Sequence, residues 1–335
     1  MSDLSRARVL ITGAGGFIGS HVVEAFLTAG ATVAAMVRYT STGHRGHLDH
    51  SGEALAAERS GQLRIALGDV TDPFQMDTVV AGHDIVVHMA ALIGIPHSCV
   101  APASHHAVNA GGTLNILEAS RRHGVSRVIV TSTSEVYGTA QTVPMDESHP
   151  LCPHSPYAAS KIAADQLALS FHRAYGLPVM ILRPFNTYGP RQSRRAVIPT
   201  ILAQVLAGVK TIEIGNLTPR RDMTFVEDTA RAFVLAAAAE GLEGETVHFG
   251  SGEALSIGEI AEHCLRTVGS DARVVAVAER ERTADLEVDH LECDASKAKR
   301  TLGWEPRVSL DEGLRRTADH LRAHPEGDRV GEYAV

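Results

Sequence analysis

The sequence predicts an α/β chain: a doubly wound parallel sheet followed by a smaller C-terminal substrate domain, with a cleft between them. Three observations predict it. Short apolar runs alternate with helical patterns through the first half, the signature of successive βαβ units. The first apolar run ends in the turn Gly13-Ala14-Gly15-Gly16, directly before a helical pattern. Distinctive segments also fall just after the run ends: Gly13 after the first, Asp69 after the third, Ala90 after the fourth, Thr133 after the fifth. That carboxyl edge is where such sheets bind nucleotides, so the fold is read as Rossmann-type.

The first strand covers residues 9–12, and a helix over 17–27 repeats Ile18, Val22, Phe26 and Leu27. Gly13 and Gly16 would let the backbone approach a pyrophosphate at the helix N-terminus, and Gly19 would let the helix pack on the strand. Further strands are expected at 33–37, 63–67, 85–89, 128–132 and 179–182, with helices at 103–123 and 156–175. After Pro184, loops rich in Pro, Arg and Asn (186–195, 216–221) join shorter elements, with helices at 198–207, 227–239, 257–268 and 309–321. Residues 1–184 are therefore read as the dinucleotide-binding domain, with later segments returning to it. Residues 185–326 are read as the substrate domain and 327–335 as a disordered tail.

Composition narrows the class. The chain has 335 residues, 44 % of them hydrophobic, and no apolar run long enough to cross a bilayer. The start Met1-Ser2-Asp3-Leu4-Ser5-Arg6 carries no secretory signal, so a cytoplasmic location is expected. Cys99, Cys152, Cys264 and Cys293 lack CxxC spacing, which suits a reducing compartment and no zinc site. A net charge of −8 argues against nucleic acid as a main partner. His105-His106 and His44/His47 form no ligand constellation and are read as surface or loop residues, with no metal expected.

Tyr157 and Lys161 stand four apart in Ser-Pro-Tyr-Ala-Ala-Ser-Lys. With six tyrosines and four lysines in the chain, this spacing arises by chance only about 0.07 times. The offset puts both on one helix face. An ammonium beside a phenol lowers the phenol's pKa and makes it usable as a base. The alternative is an exposed helical pair without a role. The second strand ends Met36-Val37-Arg38-Tyr39, with no acid for a ribose 2′-hydroxyl, and Arg38 could instead meet a 2′-phosphate.

The glycine turn and the Tyr–Lys pair together resemble the extended short-chain dehydrogenase/reductase family, in particular the nucleotide-sugar epimerases and dehydratases. The resemblance covers almost the whole chain. It runs through Thr12-Gly13 to Gly19, Gly68-Asp69-Val70, His88-Met89-Ala90-Ala91 and Asn109-Ala110-Gly111-Gly112-Thr113. It continues in Thr131 to Gly138, Arg183 to Pro190, Asp294 to Ala298 and Leu302-Gly303-Trp304. The stretch from Tyr188 to Ser193, followed by Ile198-Pro199-Thr200, is most similar to UDP-N-acetylglucosamine 4,6-dehydratases of legionaminic-type pathways.

The resemblance implies NAD as cofactor, held by Gly13, Gly16, Phe17, Ile18, Gly19, Arg38, Asp69, Val70, Ala90, Ala91, Asn109, Tyr157 and Lys161. It implies a UDP-sugar held by Asn186, Arg191, Val197, Arg221 and Arg282. Thr133, Tyr157 and Lys161 would act at the sugar C4, and Glu135 would take the C5 proton. Many dehydratases carry an Asp where this chain has Ser134, so Ser134 would act through a held water, or Glu135 would return its proton. UDP-glucuronate decarboxylase and 4-epimerase chemistry remain open, because C4 oxidation serves all three reactions. A dinucleotide-sensing regulator is the non-enzyme alternative. The helices at 103–123 and 156–175 carry apolar residues (Leu114, Ile116, Leu117; Leu167, Leu169, Phe171), which predicts a homodimer through a four-helix bundle unless those faces only cover their own sheet.

Overall fold

A computed structural model describes residues 2–277 and 287–324; Arg282 and the tail 327–335 lie outside the described residues. The first half lays down β1 (Arg8–Thr12), β2 (Thr32–Val37), β3 (Leu63–Leu67), β4 (Ile85–His88), β5 (Arg127–Thr131) and β6 (Val179–Pro184). Then come β7 (Asn186–Tyr188), β8 (Thr211–Ile214), β9 (Arg220–Phe225), β10 (Thr246–Phe249), β11 (Ala254–Ser256), β12 (Arg273–Ala276) and β13 (His290–Leu291). β10 returns to the first sheet, completing seven parallel strands in the order β10-β6-β5-β4-β1-β2-β3. Chain order reverses where β1 lies between β2 and β4, the position at which such sheets open a ligand crevice. The expected Rossmann-type parallel sheet is thus present.

The pleat assigns the core. Val9 and Ile11 of β1 join one apolar cluster and Leu10 the opposite one; Ile129 and its neighbours Val128 and Val130 divide likewise on β5. The first cluster is covered by α1 (Phe17–Thr28). α2 (Gly52–Ser60) adds Ala54 and Ala57 to that first cluster, α3 (Pro73–Val80) adds Met76 and Val80 to the opposite one, and the short α4 (Ile95–Val100) follows β4. Sequence periodicity does not reveal these three, because each is short. For α3 the cue was capping: Asp72 accepts from the amides of Phe74 and Gln75, and Pro73 opens the first turn.

The helix expected over 103–123 is built in three parts: α5 (Pro102–His105), a π-helical stretch (His106–Gly111) and α6 (Gly112–Arg122). α6 packs tightly over β3's exit, where a Cβ on Gly112 would sit 2.7 Å from Val70 Cγ2. The long α7 (Pro156–Tyr175) appears as expected, capped by Ser155, whose hydroxyl accepts from Ala158 N. The strand expected to reach Met89 stops at His88, because the amides of Met89 and Ala90 both turn to donate to Thr12 Oγ1 at 3.1 Å.

The later helices are α8 (Val197–Leu206), α9 (Val226–Ala238), α10 (Ile257–Val268), α11 (Ser296–Leu302) and α12 (Leu310–Ala323). α9 joins α1 on the first face of the main sheet. α8, α10 and α12 enclose a separate apolar cluster around Tyr188, Ile201, Phe225 and Leu314. A small sheet joins β11, β9 and β13, with β7 alongside β9. It is tied by Asp222, whose buried carboxylate accepts from the amides of Ser251, Gly252 and Cys293 and from Ser251 Oγ. Among the described residues no helix is long and apolar enough to cross a membrane.

Candidate active site

The glycine turn after β1 is shaped by close approach. Gly13 takes φ +68°, and a Cβ there would meet the Ala90 amide nitrogen at 2.8 Å. A Cβ on Gly19 would lie 2.2 Å from the Gly13 carbonyl oxygen, so only glycine lets α1 sit down on the strand end. Gly16 caps α1 without a side chain, leaving the first turn bare. This cradle of backbone at a helix N-terminus fits a dinucleotide pyrophosphate. Phe17 and Ile18 form that first turn.

Around it runs a hydrogen-bond chain that sequence reasoning missed. Thr113 donates its hydroxyl proton to Asn109 O at 2.6 Å, so His88 Nε2 donates to Thr113 Oγ1 at 3.1 Å. His88 Nδ1 then accepts from Thr12 Oγ1 at 2.9 Å. Burial, with the Lys161 charge second, pushes His88 down to about 3, which keeps this ring neutral. Asn109 continues the chain: its Oδ1 accepts from Leu92 N, and its Nδ2 donates to Leu92 O and to Ser160 Oγ, one of α7's buried residues. The strand ends and α7 are thereby fixed to each other. The sequence cue to His88 was its place at the head of the segment His88-Met89-Ala90-Ala91 at the end of a strand.

Asp69 and Val70 follow β3. The Asp69 carboxylate accepts from Thr71 N and Thr71 Oγ1 at 2.9 and 2.7 Å, and these bonds, with Arg38's charge, hold its pKa below the usual value. Arg38 is exposed at the end of β2, and Ala90 and Ala91 are half-buried beyond β4.

Tyr157 is 7 % exposed, and its phenol is in hydrogen-bond contact with the Thr133 hydroxyl. Thr133 also caps the short turn 134–137 by accepting from Glu135 N at 3.2 Å. Glu135 is half-buried, and its charge acts on Tyr157. Ser134, in contrast, is buried. The expected lowering of the Tyr157 pKa by Lys161 is not what the structure has. Burial pushes the phenol up, against the Thr133 hydrogen bond, and Glu135 and Asp165 add to the rise. Lys161 turns its Nζ to the Thr131 carbonyl at 2.6 Å, and burial lowers its own pKa. The spacing placed both residues correctly on one face but could not report the depth at which they sit.

The residues expected to bind substrate divide. Asn186, at the exit of β6, keeps a buried Oδ1 with no hydrogen-bond partner. Arg221 is buried on β9, with Nη1 donating to Arg220 O and Nη2 paired to Glu287 at 3.1 Å. Val197 opens α8 against the separate apolar cluster around Tyr188 and Ile201. Arg191 takes φ +70° and turns away to α1, donating to Glu24 Oε1 at 2.7 Å and Ser20 Oγ at 3.2 Å. Beside it, His21 meets the Pro190 carbonyl at 3.1 Å. His105, read from sequence as a surface residue, is fully buried, edge-on to the Tyr157 ring at a centroid distance of 6.2 Å. The described residues contain no cluster of three His, Cys, Asp or Glu placed to hold a metal ion.

Comparison with known proteins agrees with this geometry. A dTDP-glucose 4,6-dehydratase of an Actinoplanes species is 35 % identical over 95 % of this chain and 98 % of its own. The crystal structure of the dTDP-glucose 4,6-dehydratase DesIV from Streptomyces venezuelae, with NAD bound, is 34 % identical, with a TM-score of 0.84 over 95 % of this chain and 97 % of its own. The UDP-glucose 4-epimerase of Thermotoga maritima, solved with UDP-glucose, is 30 % identical, with a TM-score of 0.84 over 95 % of this chain and 100 % of its own. The family described as GDP-mannose 4,6 dehydratase matches residues 10–317, and the chain belongs to this family of extended short-chain dehydrogenase/reductases, the nucleotide-sugar dehydratases and epimerases.

Proposed function

We propose that this chain is an NAD-dependent nucleotide-sugar 4,6-dehydratase, converting a nucleoside-diphosphate hexose to its 4-keto-6-deoxy form. The observation that carries the reading is Glu135, a carboxylate held on the turn that Thr133 caps, acting on the Tyr157 phenol. A 4-epimerase only moves a hydride off and onto C4, so it needs no such second base. A dehydratase must also take the proton from C5.

Gly13, Gly16, Phe17, Ile18, Gly19, Asp69, Val70, Ala90, Ala91 and Asn109 would hold the cofactor, with Arg38 at its adenosine end. When bound, NAD supplies the hydride acceptor for C4 and the hydride that returns at C6, and it brings positive charge to the site in its oxidised form. Tyr157 takes the proton of the sugar 4-hydroxyl, and Thr133 steers that hydroxyl toward it. A charged Lys161 on the same helix face would favour the phenolate against the burial that raises the Tyr157 pKa. A ketone at C4 acidifies the C5 hydrogen, Glu135 removes it, and water leaves from C6. Asn186, with its unpaired amide oxygen, and Arg221 would hold the nucleotide-diphosphate part.

UDP-N-acetylglucosamine is the first substrate to test, and dTDP-glucose the second because dehydratase relatives carry that name. A 4-epimerase is the second reading, favoured by Ser134, a buried hydroxyl where the dehydratase reading wants an acid. Incubation with a panel of nucleotide sugars, followed by mass spectrometry, separates them. Loss of one water supports the dehydratase, loss of carbon dioxide a decarboxylase, and an unchanged mass with inverted C4 the epimerase.

A further inference from the structure

Asp165 has no part in the mechanism above. It follows Tyr157 and Lys161 at successive four-residue steps on α7, so the three share one helix face. Its carboxylate is fully buried. Oδ2 accepts from Ser132 Oγ at 2.6 Å, Arg183 Nη2 at 2.8 Å and Arg183 Nε at 3.2 Å, while Oδ1 has no hydrogen-bond partner. Arg183 continues inward, donating to the Tyr137 hydroxyl at 2.5 Å, which donates to His248 Nε2 at 2.6 Å. Ser132 lies between Thr131, whose carbonyl holds Lys161, and Thr133. A buried ion pair of this kind adds little net stability over well-packed apolar side chains. What it provides that apolar side chains would not is a negative charge one turn from Lys161.

We infer that Asp165 is a positioning residue for the Tyr157–Lys161 pair: it keeps the Lys161 ammonium charged inside the protein and, through Ser132, fixes the strand end that carries Thr133 and Glu135. The importance of that charge for turnover rests on the proposed function; the effect on Lys161 does not. The groups facing Lys161 are Tyr157 and Asp165 on its own helix, the Thr131 carbonyl on β5 and neutral His88 on β4, with Arg183 of β6 behind Asp165. Burial opposes the charged lysine, and Asp165 is the group that favours it.

The chain has only four lysines, so Lys161 can be followed directly by NMR in protein labelled with ¹³C-lysine and saturated with NAD. The Lys161→Met variant assigns its signal. In Asp165→Asn the Lys161 titration midpoint should move to lower pH, with proton affinity falling about tenfold or more. Ser132→Ala keeps the charge and should leave the midpoint in place while reducing kcat. If Asp165→Asn does not fold, the neutral pair Asp165→Asn/Arg183→Gln is used, and a smaller downward shift is expected, because losing the more distant Arg183 cation offsets part of the lost Asp165 charge. An unmoved midpoint in a folded variant overturns the inference. A shifted midpoint in a protein that dehydrates no nucleotide sugar supports the inference and counts against the proposed function instead.

Discussion

Removing the Tyr157 hydroxyl while keeping its ring should stop turnover. Tyr157→Phe is expected to lower kcat by ~10²–10⁴-fold, with NAD affinity measured by calorimetry nearly unchanged. A variant that kept half its activity would remove Tyr157 from the mechanism. Glu135→Gln preserves shape and loses the base. With the right sugar nucleotide in deuterated water, the wild type should place deuterium at C5, and the variant should not. Exchange at the wild-type rate in the variant would remove Glu135 as the C5 base, and a wild type that places no deuterium at C5 would move the 4-epimerase reading ahead. These side chains were legible because their types and spacing are rare. The pKa environment was not, since burial belongs to residues that meet only after folding. Nothing in the sequence near Tyr157 announced that His105 would pack against its ring or that Lys161 would face Thr131.

At the scale of elements, the π-helical stretch 106–111 carries Asn109 among its buried residues. Such one-turn widenings recur at functional sites. Asn109→Ala would strand the Leu92 amide and carbonyl and cut the link to Ser160, and should cost about 2–4 kcal/mol in urea unfolding while also lowering kcat. A variant of unchanged stability would show that the chain of bonds is dispensable. Apolar periodicity marked this region as helix, yet it carries no signal for a shift from four- to five-residue hydrogen bonding. The same limit explains the short strands of the second half, which are held by partners distant in sequence, as Arg220 is by His290. On α6 and α7, Ile116, Leu117 and Phe171 are buried in the core of their own sheet and Leu167 and Leu169 pack against it, so of the six residues behind the expected four-helix pairing Leu114 alone is exposed to make it. Light scattering should give a dimer mass at micromolar concentration and a monomer for Leu114→Arg; a monomeric wild type would rule the pairing out.

For the molecule as a whole, His88 and His248 stay neutral in the fold, each pushed down to about 3 chiefly by burial. The unfolded chain protonates them from about pH 6.5 downward. Between those values the unfolded state holds more protons, so stability falls as pH falls, by up to about 1.4 kcal/mol per pH unit for each histidine. Melting temperatures should therefore drop steadily from pH 6.5 to pH 4, and a flat profile would contradict it. The main sheet was readable from the sequence because each of its first six strands is apolar and bounded by turns; β10 was not, because Thr246–Phe249 is short and interrupted by His248. The reach of Arg191 was equally hidden. It joins the chain segment after β7 to α1, the helix that begins at the glycine cradle. Parting those two pieces means breaking the Arg191–Glu24 ion pair and the His21–Pro190 contact together. An enzyme that gets its dinucleotide back each cycle gains nothing from releasing it. Under the proposed reaction this strap is expected to lengthen the cofactor's residence: Arg191→Ala should shed NAD faster in a stopped-flow chase, and an unchanged release rate would show that the strap does not hold it.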